Sequence, residues 1–292
     1  MTANTKNISL VLGSGGARGL AHIGIIRYLE EQKYNIKSVC GCSIGALIGG
    51  IYAAGKLAEY EKWVKNIDKF DIFSLLDFTF GRTGLVKGDK LMGKLKQMVG
   101  DSKIEDLDIA FTAVAADISR EREVWLNKGP LFDAIRASIS LPLFFTPVEY
   151  QGVKLLDGGI FDPVPMAPTF HDMTDMTIAV NLIGPPEKTG NLLPEHDHEE
   201  NGTVGFHDKV KAFVEKFLPD QPQDEENWDF FYIASQSFDA MQGVIARQKL
   251  AAHPPDVIIE IPRNACGILD FDRAEEMIEL GYRKAKKKLN EH

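Results

Sequence analysis

Apolar positions in this chain follow two rhythms. Short unbroken runs alternate with stretches in which apolar residues return every third or fourth place. Ile8 to Leu12 is a compact run closed by Gly13-Ser14-Gly15-Gly16-Ala17-Arg18-Gly19, after which Leu20, Ile23, Ile26 and Leu29 recur at helical spacing. Ile36 to Cys40 supplies a second run, so the opening predicts a right-handed βαβ unit with parallel strands. The second run breaks into Gly41-Cys42-Ser43-Ile44-Gly45, then into a helix in which Ala46, Leu47, Gly49 and Gly50 permit close packing on a sheet.

Residues 57 to 100 read as helical but irregular, with an aromatic-rich patch at Trp63, Phe70, Phe73, Leu75, Leu76, Phe78 and Phe80 before the turn region from Gly81 to Gly88. That patch suits a helical layer of core, and equally an apolar pocket or lid over a ligand site. Ile109 to Ile118 predicts a central strand with Glu123 to Leu126 as its partner, and Pro130 to Ser140 a helix with proline near its start. Val148–Tyr150 and Val153–Leu156 flank Gln151-Gly152 as a hairpin whose second arm runs into Asp157-Gly158-Gly159. Met176 to Ile183 predicts a further buried strand. Residues 184 to 227 turn acidic and rich in proline and glycine, which reads as a surface insertion enclosing a short amphipathic helix at Val210, Phe213, Val214 and Phe217. A long helix from Trp228 to Ala252, a strand from Val257 to Ile261 and a basic-ended helix from Phe271 to Leu289 complete the chain. Strands alternating with helices predict an α/β fold, a three-layer α/β/α sandwich with a mainly parallel central sheet, over residues 1–292 as one domain.

Composition narrows the class. The 292 residues are 44% hydrophobic and 26% charged, ordinary for a globular protein, and no run approaches a membrane span. The polar start from Met1 to Asn7 lacks the apolar core of a signal peptide, so a cytoplasmic location is expected. A net charge of −9 argues against non-specific nucleic-acid binding. Cys40, Cys42 and Cys266 read as reduced thiols, with too few ligands at poor spacing for a zinc site; no metal is expected.

The candidate chemistry lies in the glycine-bearing turns. G-x-S-x-G at a strand-to-helix turn is the pattern of a nucleophile elbow, which thrusts Ser43 out of the backbone while Gly41 and Gly45 let neighbouring elements close in. The pentapeptide is short and also fits a turn with an incidental serine. The loop from Gly13 to Gly19 could cradle a phosphate, but in the G-x-G-x-x-G frame the sixth place is Arg18, with Gly19 one place late. Leu20 stands where a P-loop lysine is required, and no acid ends the second strand to hold a ribose. The same amides serve as well for an oxyanion hole beside Ser43, with Gly15, Gly16 and Ala17 as donors. Arg18 is read as orienting the loop, the alternative being attraction for an anionic headgroup. His22 is read as a packed helix residue, His171, His207 and His253 as lying outside any catalytic frame, and His196-Asp197-His198 as solvated.

Taken together, Leu12 to Gly19 followed by Ala21-His22-Ile23-Gly24, the elbow at 41 to 45, the segment from Ala137-Ser138 through Pro142 to Phe145 and Pro147, and Asp157-Gly158-Gly159 resemble the patatin-like phospholipase family. The likeness covers residues 8 to 183 and is similar to the bacterial and neuropathy-target-esterase-like branch; Ser14 stands where many members have another glycine. The resemblance implies a serine acyl hydrolase of phospholipase A or lysophospholipase type, with Ser43 as nucleophile, Asp157 as its base and no histidine relay. Gly13, Arg18, Gly19, Gly41, Gly45, Gly158 and Gly159 would support the motif. It implies no cofactor, a lipid or acyl-ester substrate and transient peripheral contact with a membrane. Two alternatives stand beside it: a non-catalytic regulator or adaptor on the same fold, and a Ser-Asp-His esterase of the α/β-hydrolase kind.

Overall fold

A computed structural model describes residues 5–67, 86–142, 144–188 and 230–291, with positions 71, 74, 75 and 77. The segment expected as an acidic insertion lies almost wholly outside the described residues, as do Phe70, Phe73, Leu76, Phe78 and Phe80 of the aromatic patch.

Eight strands form one sheet. They are β1 (Asn7–Leu12), β2 (Asn35–Cys42), β3 (Ala110–Asp117), β4 (Arg122–Leu126), β5 (Val148–Tyr150), β6 (Val153–Asp157), β7 (Met176–Gly184) and β8 (Val257–Pro262). Their order is β5-β6-β3-β2-β1-β7-β8, with β4 also paired to β3. The pairs β1–β2, β1–β7, β2–β3 and β7–β8 are parallel; β3–β4, β3–β6 and β5–β6 are antiparallel. The expected sandwich with a mainly parallel sheet is the fold observed. Strand order reverses at β1, which has β2 on one side and β7 on the other. Loops leaving the carboxyl ends of the strands at such a reversal diverge and open a crevice.

Among the described residues the helices are α1 (Ala21–Glu31), α2 (Ile44–Ala53), α3 (Leu57–Val64), α4 (Asp89–Val99), α5 (Leu131–Ser138), α6 (Phe230–Ala252) and α7 (Ala274–Asn290). Alternation along β1 divides them between faces. Ile8, Leu10 and Leu12 join the core shared with α1, α2, α5 and α7, whereas Val11 joins Val164, Ala179, Ala246 and Leu250 under α6. Each of these fully buried aliphatic side chains contributes roughly 2 kcal/mol. A register slip of one residue would send them all to the wrong face, so the pattern pins β1 in place. On the first face α1 and α7 touch through backbone: a Cβ on Gly24 would lie 1.8 Å from Ile278 O, and one on Gly281 would lie 2.0 Å from Ala21 O.

One irregularity of the sheet matters for the site. The edge of β3 that pairs with β2 through Cys42↔Val114 is taken over by β6 from Ala115↔Asp157 onward. β2 ends there because the chain turns away at Ser43. The last residue of β6 is thereby delivered to the point where β2 leaves the sheet.

Candidate active site

The elbow forms at that handover. Ser43 follows the last residue of β2 and precedes the first of α2, with φ 55° and ψ −124°. This is a region non-glycine residues rarely occupy, worth about 1–3 kcal/mol of strain. The surroundings hold it there. Ser43 N donates to Ser138 Oγ at 2.9 Å, and Ser138 Oγ donates in turn to Val114 O at 2.6 Å. A Cβ on Gly45 would lie 2.0 Å from Leu12 O, so the first turn of α2 rests directly on the backbone that begins the glycine loop.

Asp157 comes to the same place along the same edge of β3, as the last residue of β6. Its carboxylate is fully buried; Oδ1 accepts from Gly159 N at 2.8 Å and has the Cys42 thiol at 3.9 Å. Oδ2 has no hydrogen-bond partner. Burial pushes the Asp157 pKa up from 3.8 to about 6, against the smaller, opposite effects of the Ser43 hydroxyl and the Gly159 amide. The Ser43 hydroxyl is thus near enough to favour the carboxylate without closing a hydrogen bond to Oδ2. The Cys42 thiol, raised by burial and by Asp157, stays protonated.

The glycine loop forms the third wall. Gly16 has φ +59°, and a Cβ there would meet Ile268 at 2.4 Å, so only glycine fits. Arg18 is buried beneath the loop and holds it from below. Its Nε donates to Gly15 O at 2.9 Å, its Nη1 to Arg263 O at 3.0 Å, and its Nη2 to both carboxylate oxygens of Asp239 at 3.0 Å. All the guanidinium edges are engaged inside the protein, which makes Arg18 a loop brace rather than a headgroup site. Gly15, Gly16 and Ser43 line one cavity of ≈ 140 Å³ whose remaining walls are almost entirely apolar, among them Leu47, Trp63, Leu75, Leu95 and Phe144. Trp63 and Leu75 are the members of the expected aromatic patch that the structure brings to it.

The family model for patatin-like phospholipase matches residues 10–170. The chain belongs to the patatin-like phospholipase family. An uncharacterised NTE family protein of Mycobacterium tuberculosis is 34% identical over 96% of this chain and 90% of its own length. The Lysophospholipase NTE1 of Coccidioides immitis is 28% identical over 98% of this chain but only 18% of its own, and that of Pyricularia oryzae is 28% identical over 95% and 18%. Among solved structures VipD from Legionella pneumophila is similar at a TM-score of 0.46 and 13% identity, over 99% of this chain and 67% of that one.

Within this patatin-like hydrolase, one expected donor is corrected. The Ala17 N–H donates to Ile268 O at 2.9 Å, so it is not free to meet an oxyanion. Ser14 N is also engaged, with Pro163 O at 2.8 Å, and Gly13 N with Val180 O at 3.0 Å. The supporting glycines Gly19, Gly41, Gly158 and Gly159 all sit where the turns press on neighbouring elements. His22 is buried with Nε2 3.0 Å from Gly13 O, and burial lowers its pKa to about 4, so it is neutral. His253 meets Phe170 in a tilted ring contact, centroids 4.9 Å apart. Among the described residues no histidine contacts Ser43 or Asp157, and no group of three or more His, Cys, Asp or Glu could hold a metal ion. No described helix is long and apolar enough to cross a membrane.

Two side chains were invisible to motif reading. Ser138, which holds the elbow amide, had the Ala137-Ser138 block as its only signal. Gln242 on α6 reaches into the cavity with nothing in the local sequence to mark it; its buried amide donates to Ser14 Oγ at 3.2 Å.

Proposed function

We propose that this chain cleaves fatty acyl esters through a Ser43/Asp157 dyad and an acyl-enzyme intermediate. The reading rests on one observation above all: the strained elbow of β2 and the buried end of β6 meet at the β3 handover, and Ser43 lines an apolar cavity together with Gly15 and Gly16. In the first half-reaction Ser43 Oγ attacks the ester carbonyl as its proton passes to Asp157. The developing oxyanion is held by the Gly15 and Gly16 amides, each such donor being commonly worth about 3 kcal/mol in the transition state. Collapse expels the alcohol, which takes the proton from Asp157 and leaves an acyl ester on Ser43. Water then gives a proton to Asp157 as it attacks that ester, and collapse releases the fatty acid while Asp157 returns the proton to Ser43 Oγ. A carboxylate at its ordinary pKa would be a feeble base for this step. One raised to about 6 by burial lies much closer to working pH, where proton transfer is best driven.

An apolar cavity suits the acyl chain, and the lysophospholipase names of the fungal relatives make a lysophospholipid the favoured substrate class, with transient contact at a lipid surface to obtain it. The test is labelling by a fluorophosphonate together with turnover of short-chain and lysophospholipid esters. Ser43→Ala and Asp157→Asn are expected to lose both. Retention of labelling and turnover by Ser43→Ala, with the protein folded, would overturn the mechanism, and an adaptor role would be favoured if the native chain showed neither.

A further inference from the structure

The cavity contains one polar spot besides Ser43 and the oxyanion amides, and it is built from two elements distant in sequence. Ser14 and Gln242 both line the cavity, are 4% and 2% exposed, and are joined by the 3.2 Å bond from Gln242 Nε2 to Ser14 Oγ. They sit against the dyad: a Cβ on Gly159 would lie 2.9 Å from Ser14 Oγ, 3.0 Å from Asp157 Oδ1 and 2.0 Å from Gln242 Nε2. Three polar groups therefore converge on one glycine, which must lack a side chain for them to do so. Apolar cavities of this kind use a few placed polar groups to fix a ligand's orientation.

The valences of the pair define what it can recognise. Ser14 Oγ already accepts from Gln242, so its own hydroxyl proton is available to donate. Among the described residues Ser14 is the hydrogen-bond partner of the Gln242 amide, whose carbonyl oxygen is left to accept. The amide's second N–H is a further donor, so the pair sets donors beside one acceptor and complements a hydroxyl group, which both donates and accepts. An ester or ether oxygen at the same place can accept but not donate, and would leave the Gln242 carbonyl buried without a partner. We propose that Ser14 and Gln242 form a subsite that selects acyl esters bearing a free hydroxyl next to the ester, as monoacyl glycerolipids do and diacyl ones do not. The proposal rests on Ser43 being the nucleophile, because it is proximity to the dyad that places the pair beside the alcohol portion of the substrate.

The experiment compares kcat/KM for lysophosphatidylcholine with that for its deoxy analogue, in which hydrogen replaces the free glycerol hydroxyl. Wild type, Ser14→Ala, Ser14→Thr and Gln242→Leu are measured, and the readout is the ratio of the two substrates within each protein. Wild type is expected to favour the hydroxyl-bearing substrate by about tenfold or more, since a site built to bond a hydroxyl rejects an analogue lacking it. Ser14→Ala and Gln242→Leu are expected to bring the ratio to about one through loss on lysophosphatidylcholine, whereas Ser14→Thr, which keeps the hydroxyl, preserves it. A wild-type ratio near one, turnover of neither lipid by wild type, or variants that slow both substrates by the same factor would each overturn the subsite. Fluorophosphonate labelling run in parallel separates the two levels: labelling lost in Ser43→Ala with a ratio near one removes the subsite and leaves the dyad, while Ser43→Ala that still labels and hydrolyses both removes both.

Discussion

The buried Asp157 carboxylate predicts that Asp157→Asn, while inactive, becomes relatively more stable as pH rises. Its pKa is 3.8 in an ordinary carboxyl and about 6 in the fold. The folded chain therefore binds more protons than the unfolded chain across that interval, and ionisation of Asp157 weakens the native state as pH rises through it. At roughly 1.4 kcal/mol per pH unit, the penalty at pH 8 is about 3 kcal/mol, and at pH 5 it is about half as large. Asparagine removes the charge, keeps an oxygen for the Gly159 amide, and puts an NH₂ where Oδ2 has no partner. That unsatisfied donor costs about 1–3 kcal/mol at any pH, so the absolute gain at pH 8 is small. The pH-dependent part survives subtraction: the stability difference between variant and wild type is expected to shift by about 1.5 kcal/mol in favour of the variant between pH 5 and pH 8. Urea unfolding of both proteins at the two pH values measures it, and in thermal melts it corresponds to a few degrees. A difference that does not change with pH, or moves the other way, would refute the claim that Asp157 is buried as a strained base.

The same carboxylate sets the rate profile: kcat/KM for a non-ionising ester should fall as pH drops through about 6, tracking protonation of the free enzyme's base. Because Ser43 sits at φ 55°, Ser43→Gly should unfold at higher urea than Ser43→Ala, by about 1 kcal/mol, both being inactive. Equal midpoints would deny the elbow its strain. Gly281→Ala, whose Cβ would lie 2.0 Å from a backbone oxygen of α1, should lose several kcal/mol. No side chain can swing aside to relieve it, since the contact is backbone on backbone; a melting temperature within a degree of wild type would contradict the α1–α7 packing.

The parts of the fold that were legible in sequence are those where local pattern and tertiary environment agree. Ile8 to Leu12 reads as a buried strand because it is buried on both faces, and the run into Asp157 ends at a strand end because Gly158-Gly159 cannot continue a strand there. Ser43 could be named as a candidate from the glycines of its elbow, and Asp157 only through the family resemblance that the combined motifs carry. Their meeting could not be derived from spacing, because it depends on β6 displacing β2 along one edge of β3. Ala17 was expected among the donors because its amide follows two others in the loop; Ile268, far along the chain, takes that amide, and no local signal carries such a contact. Gln242 was hidden for the same reason, as one polar residue on a long helix whose depth is set by packing of Ala246 and Leu250 on the sheet.

The handover on β3 has a consequence for when the protein becomes chemically competent. The elbow belongs to the opening βαβ unit, while the base proposed for it, Asp157, arrives with the second arm of a later hairpin. A ribosome-bound or truncated chain that ends before β6 can present the serine in its turn yet has no group to accept the proton. Even a full-length chain stays inert if that hairpin docks one residue out of step, since Asp157 would then point to the opposite face of the sheet. On the proposed mechanism, activity is therefore a readout of correct assembly of the sheet, absent from every incomplete or misregistered form.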